Sequence, residues 1–162
     1  MSAAPRPVYA AFFLGQGGYL FSLGVPRLAA RARIIGIETD VYRYTEVDRA
    51  RLNISAKHAA GRKIGLIGYS LGCTTATWLQ TQMHVDLLCA IAESSLAQNH
   101  PINKANTRRS VLWAGPDVLS DAGTSDGFDQ VNEVEAPHLW MDFSIPVTDG
   151  VLAELATLKK EP

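Results

Sequence analysis

Ser70 stands in the pentapeptide Gly68-Tyr69-Ser70-Leu71-Gly72, between an apolar strand-like run, Lys63 to Ile67, and a helix-like run, Cys73 to Met83. A serine hydroxyl is a weak nucleophile until a neighbouring base takes its proton and a third group orients that base. The spacing G-x-S-x-G between a strand and a helix supplies the first part of such a device. It places the serine on a strained turn that only flanking glycines let pass, and pushes its oxygen out at the edge of a sheet.

A base for Ser70 must come from one of four histidines. Sites in open α/β sheets lie at the carboxyl ends of the strands, so the edge on which each histidine falls sorts them. His58 falls late in the helical stretch leading into the Ser70 strand, and His84 falls between the Ser70 helix and the next strand. Both belong at the opposite edge and read as structural or surface residues. His100 lies in a polar loop that follows a strand. His138 follows the strand-like Val131–Glu135 and precedes the last helix. In the chain order nucleophile, acid, base, His138 alone comes after both Ser70 and an acidic cluster, and it is the preferred base.

The acid is left open among several carboxylates. Asp117 stands two residues beyond the Ser110–Gly115 run and is the first choice. Asp121, Asp126 and Asp129 share its loop, and Glu93 ends the preceding strand. Two backbone N–H groups must then face the negative oxygen that forms during acyl transfer. Leu71 follows the nucleophile at a helix N-terminus, whose dipole favours negative charge. Gln16, in Leu14-Gly15-Gln16-Gly17-Gly18, can supply the second, or Gly17 in its place. Gly17 and Tyr69 flank the reacting position and are expected to contact substrate. A dinucleotide loop would want glycine at position 20, where Leu20 stands.

The elements that must position these groups alternate. Strand-like runs fall at Val8–Leu14, Arg33–Glu38, Lys63–Tyr69, Asp86–Ala92 and Ser110–Ala114, several of them apolar at consecutive positions, as in a sheet covered on both faces. Helical patterns lie between them. Ser22 is placed to cap a helix carrying Val25, Leu28 and Ala29. Thr45 with Asp48 has the form of a capping box, and Gly61 is placed to end the helix that follows. The last helix is predicted from about Thr148, with Val151, Leu152, Leu155 and Leu158 on one face.

The chain has 162 residues, 47% hydrophobic and 19% charged, which is one domain's worth of ordinary globular composition. A formal net charge of −1 gives no basic footprint for nucleic acid or anionic membrane. Cys73 and Cys89 lack the spacing of a disulfide framework or a metal site and read as buried thiols. Val8–Leu14 reads as a buried first strand rather than a leader. No apolar stretch reaches the ~20 residues of a membrane-spanning helix, which predicts a soluble, cytoplasmic protein.

The arrangement resembles the α/β-hydrolase superfamily, in particular small forms with little or no cap, similar to cutinase-like and short lipase or thioesterase-like members. Gly15-Gln16-Gly17-Gly18 looks like that family's oxyanion loop, with Leu14 where a histidine often stands. Gly68-Tyr69-Ser70-Leu71-Gly72 is similar to its nucleophile elbow, and Ala136-Pro137-His138-Leu139 to its histidine loop. The resemblance runs from about Val8 to Leu158 and implies a single domain over 1–162. The expected sheet is minimal and mostly parallel, of about six strands with helices on both faces, beginning at the family's third strand. An edge left bare in this way is expected to be covered by a second copy, giving a homodimer.

The implied activity is a serine hydrolase cleaving a carboxylic ester or thioester through an acyl-enzyme on Ser70, with no cofactor or metal. The alternatives are an acyltransferase, or a non-catalytic member that binds a ligand or protein in the same cleft. The stretch Ser94 to Arg108 is too short for a cap and mostly polar. A small or medium water-soluble ester is therefore expected in preference to an emulsified triglyceride.

Overall fold

Along the first strand, β1 (Val8–Leu14), side chains alternate between two separate apolar layers. Val8, Ala10, Phe12 and Leu14 face one layer, while Tyr9, Ala11 and Phe13 face the other. Such a strand is apolar at every position because both of its faces are covered. The computed structural model, which describes residues 5–96, 98–116 and 126–162, shows the covering helices. α1 (Gly24–Ile34) and α4 (Ile145–Lys160) pack on the first face, and α2 (Val47–Ala59) and α3 (Leu71–Gln82) on the second.

The remaining strands are β2 (Glu38–Arg43), β3 (Lys63–Tyr69), β4 (Leu87–Ile91), β5 (Ser110–Ala114) and β6 (Gln130–Glu133). They form a six-stranded sheet in the order β2-β1-β3-β4-β5-β6, and every pairing is parallel. The chain runs outward from β1 to β2, then returns to place β3 on the other side of β1. The loops after β1 and β3 therefore diverge, and the carboxyl edge opens a crevice between these two neighbours.

Where local structure departs from the sequence reading, the causes are identifiable. The segment around Arg33 is the end of α1 rather than a strand, and β2 starts at Glu38. Gly36, at φ 80°, ends the helix, with Gly36 N–H donating to Arg33 O and Ile37 N–H to Ala32 O. This is the paired closure that a left-handed glycine permits. Gly61 ends α2 in the same way, as the sequence predicts, donating to His58 O while Arg62 N–H donates to Lys57 O. Thr45 makes no cap. Glu46 holds the N-cap position of α2, and its carboxylate accepts the Arg43 N–H at 2.8 Å. α4 begins at Ile145, with Pro146 in its first turn where the missing N–H costs nothing. Ser22 does not cap α1 with its side chain. Its hydroxyl is used elsewhere.

Among the described residues, no helix is long and apolar enough to cross a membrane. Cys73 and Cys89 are buried free thiols, and burial pushes both well above the ordinary thiol range. The described residues hold no cluster of His, Cys, Asp or Glu suited to a metal ion.

Candidate active site

The turn from β3 to α3 is built around two glycines that cannot be replaced without collision. A Cβ on Gly68 would lie 2.7 Å from Cys73 Cα, within the turn itself, and one on Gly72 would lie 2.2 Å from Phe13 O, on the neighbouring strand. Ser70 between them adopts φ 53° and ψ −122°, a conformation L-residues rarely hold. Strain of this kind costs on the order of 1–3 kcal/mol and persists only where the surroundings enforce it. Here the Ser70 N–H donates to Ile91 O on β4, and Ser70 O accepts the Cys73 N–H that starts α3. The hydroxyl is held at the carboxyl edge, over the positive end of α3.

His138 opens a 3₁₀ helix, His138–Phe143, between β6 and α4. Its Nε2 lies 2.8 Å from Ser70 Oγ, and both residues are nearly buried. The Tyr69 hydroxyl donates to His138 O at 2.7 Å, tying the histidine's backbone to the end of β3. Tyr69, expected as a substrate contact, borders the cleft, sets its ring against that of His138 and spends its hydroxyl on holding the His138 backbone. Asp142, on the same 3₁₀ helix, accepts the Gly24 N–H at the start of α1 at 2.9 Å.

The loop after β1 closes the site from the other side. Gly17 and Gly18 have φ 75° and 56°, and the hydroxyl of buried Ser22 accepts the Gly15 N–H at 3.1 Å. A Cβ on Gly15 would come within 2.9 Å of Ser70 Cβ, so the loop can approach the serine this closely only with glycine there. Gln16 and Gly17 border the cleft. Leu71 is the first residue of α3, so its N–H is one of the four that a helix leaves without an internal acceptor. The cleft has a volume of about 420 Å³ and is lined by Gln16, Gly17, Phe21, Ser22, Tyr69, Ser70, Ser94, Leu96, His138 and Leu139.

The candidate acids separate by position. Asp117 and Asp121 lie outside the described residues. Asp129 does not reach the site. It precedes β6 at the amino edge, where its carboxylate takes Ser110 N–H and hydroxyl and pairs with Lys104. Burial raises its pKa, but those donors outweigh burial and hold it below the ordinary range. Asp126, three residues before Asp129, is exposed. Glu93 is buried just beyond β4, on the carboxyl edge. It follows Ala92, which at φ 49° is the other described non-glycine residue with positive φ.

The other histidines are elsewhere. The His100 N–H donates to Thr77 Oγ1, two turns along α3 from Ser70. His58 and His84 have ring centroids 6.0 Å apart at the amino edge, with His84 3.5 Å from Asp86. Phe21, Ser22, Ser94, Leu96 and Leu139 also line the cleft, a role the sequence pattern does not assign them. Ser22 sits within a residue or two of a helix start, which is what disguised it as a cap.

No family model matches the chain, and no curated protein matches it. Solved structures do. A protein from Xanthomonas campestris pv. campestris assigned to the alpha/beta hydrolase superfamily superposes with TM-score 0.62 at 15% identity, over 93% of this chain and 97% of that one. The fold is that of the α/β-hydrolase superfamily. TT1662 from Thermus thermophilus shares this α/β-hydrolase fold with TM-score 0.62 at 15% identity, over 100% of this chain and 92% of the other. XC6422 from Xanthomonas campestris, an α/β serine hydrolase without a lid, superposes with TM-score 0.57 at 16% identity, over 98% and 84%. In an α/β-hydrolase sheet of this order, Ser70 stands at the point where the chain reverses its direction across the sheet.

Proposed function

We propose that this chain is a serine hydrolase that cleaves a carboxylic ester or thioester through an acyl-enzyme on Ser70. The observation that carries the reading is the 2.8 Å approach of His138 Nε2 to Ser70 Oγ on a strained turn. A base within 2.6–3.2 Å of the proton it removes is the geometric requirement for activating a nucleophile. The same distance weighs against a purely ligand-binding protein, for which the pair could lie out of reach.

In the proposed reaction Ser70 Oγ bonds to the acyl carbon as its proton passes to His138 Nε2. The carbonyl oxygen takes up the negative charge, facing the Leu71 and Gln16 N–H groups. Collapse breaks the bond to the leaving group, which receives the proton from His138. Water, deprotonated by His138, then attacks the acyl-enzyme, releases the acid and restores Ser70. A carboxylate holds the imidazole, and Asp117 is the candidate, with Asp121, Asp126 and Glu93 as the alternatives. The buried thiols Cys73 and Cys89 fit a reducing compartment, so a cytoplasmic location is part of the proposal.

The test is turnover of an activated ester and a thioester by the wild type and by Ser70→Ala and His138→Ala. Each substitution should lower kcat by about 10³-fold or more with the fold intact by circular dichroism. Equal turnover by wild type and Ser70→Ala would sink the assignment.

A further inference from the structure

Large apolar side chains stand in solvent at several places, Ile34, Leu52 and Ile145 among them, and three others meet at one opening. Phe21 on the loop after β1, Leu96 after β4 and Leu139 after β6 are 56%, 78% and 56% exposed, and all three border the cleft over Ser70. Leu20, Leu23 and Trp140, also exposed, lie within two residues of Phe21 or Leu139 in sequence. Three segments from different parts of the chain thus place bare apolar groups around one opening. Exposed apolar surface concentrated at a concave site marks what that site takes up.

The rim is held in place. Leu96 N–H donates to Ser94 Oγ, and Asn99 Nδ2 donates to Ser94 O. Asn99 Oδ1 in turn accepts the Thr74 hydroxyl of α3. Phe21 packs against the oxyanion loop, since a Cβ on Gly17 would lie 2.3 Å from its ring. Among the described residues, the rest of the lining is Gln16, Gly17, Ser22, Tyr69, Ser70, Ser94 and His138, with no Lys, Arg, Asp or Glu. A charged group held against that lining would shed part of its hydration and meet no opposite charge among the described lining residues, which is costly.

We propose that the substrate's acyl group is an uncharged apolar chain of medium length, held against Phe21, Leu96 and Leu139. This rests on the hydrolase reading and narrows it to esters whose acyl chain gains by leaving water. Because the cleft is open rather than enclosed, each added methylene loses only part of its contact with water. The gain is then a fraction of the roughly fourfold per methylene that complete burial would give.

The experiment is kcat/KM for p-nitrophenyl acetate, butanoate, hexanoate and octanoate below their solubility limits, with the succinate half-ester as charged probe. Each rate is corrected by that of Ser70→Ala. The proposal expects a rise of about tenfold or more from acetate to hexanoate, and succinate at least about tenfold below butanoate. Phe21→Ala should flatten the rise and Phe21→Leu restore much of it. Ser70-dependent turnover that is flat or falls with chain length overturns the proposal and leaves the hydrolase reading standing. Succinate turned over as fast as butanoate, or a rise untouched by Phe21→Ala, overturns it as well. Absence of Ser70-dependent turnover of every ester overturns both.

Discussion

Asp142 Oδ2 accepts the Gly24 N–H at 2.9 Å, and this bond from 118 residues away supplies the cap that the start of α1 lacks locally. It also fixes the short helix on which His138 sits, four residues before Asp142. The other carboxylate oxygen is buried and, among the described residues, has no hydrogen-bond partner. Burial is the largest influence on this group and carries its pKa from the ordinary 3.8 to about 6, against the opposing pull of the Gly24 N–H.

That shift sets a pH dependence of stability. The folded-state pKa lies above the unfolded one, so ionisation opposes folding. The contribution is fully present below the unfolded value of 3.8 and is lost as pH rises through about 6. Relative to Asp142→Asn, the wild type should lose on the order of 2 kcal/mol between about pH 4 and pH 7. Urea denaturation of both proteins across that range measures it.

Gly72→Ala should be far more damaging than Gly61→Ala. A Cβ at position 72 meets the Phe13 carbonyl of a central strand, whereas one at 61 meets nothing within 4 Å and suffers only its φ of 80°. Overpacking against fixed backbone should cost about 3 kcal/mol or more, and the strained turn alone about 1–2 kcal/mol. At roughly 2–4 °C per kcal/mol in a domain of this size, calorimetry should separate the two Tm values clearly.

Ser22→Ala removes the acceptor of the buried Gly15 N–H. An unsatisfied buried donor costs about 1–3 kcal/mol, and the loop carrying Gln16 loses its anchor. We expect a fall in kcat with KM little changed, as for a group that supports the transition state. Steady-state kinetics beside a melting curve distinguishes this from a simple loss of folded protein.

Lys63 is a buried lysine whose ammonium donates to Leu158 O and Glu161 O at the end of α4. Cation and carbonyls are matched to the negative end of that helix. Lys63→Met should strip those donors and cost about 1–3 kcal/mol. Because Lys63 begins β3 while Ser70 follows its end, specific activity of the folded fraction should not change.

These elements were unequally legible in the sequence. β1, β3 and β5 were plain, because strands buried on both faces read as unbroken apolar runs. β2 was not, because an edge strand carries Glu38, Asp40 and Arg43, while the apolar pair Ile34 and Ile35 beside it ends a helix in solvent. The turn at Ser70 declared itself through its glycines, whose positions follow from contacts made almost within the turn. The pairing of Ser70 with His138 was accessible by asking which sheet edge each histidine occupies. Ser22 and Asp142 exchanged the capping role for reasons no local pattern records, since the partner lies at the far end of the chain. Phe21 and Leu96 left no trace because apolar residues in loops have no period to betray them, and Leu139 stood out only as the neighbour of His138.

Catalysis in this cleft requires that Ser70 be activated by its surroundings. Intact-mass spectrometry after exposure to a fluorophosphonate, on wild type and Ser70→Ala side by side, tests this without knowledge of the substrate. An activated Ser70 gives a single phosphonyl adduct on the wild type and none on the variant. No adduct on well-folded wild type, or equal labelling of both proteins, would contradict it.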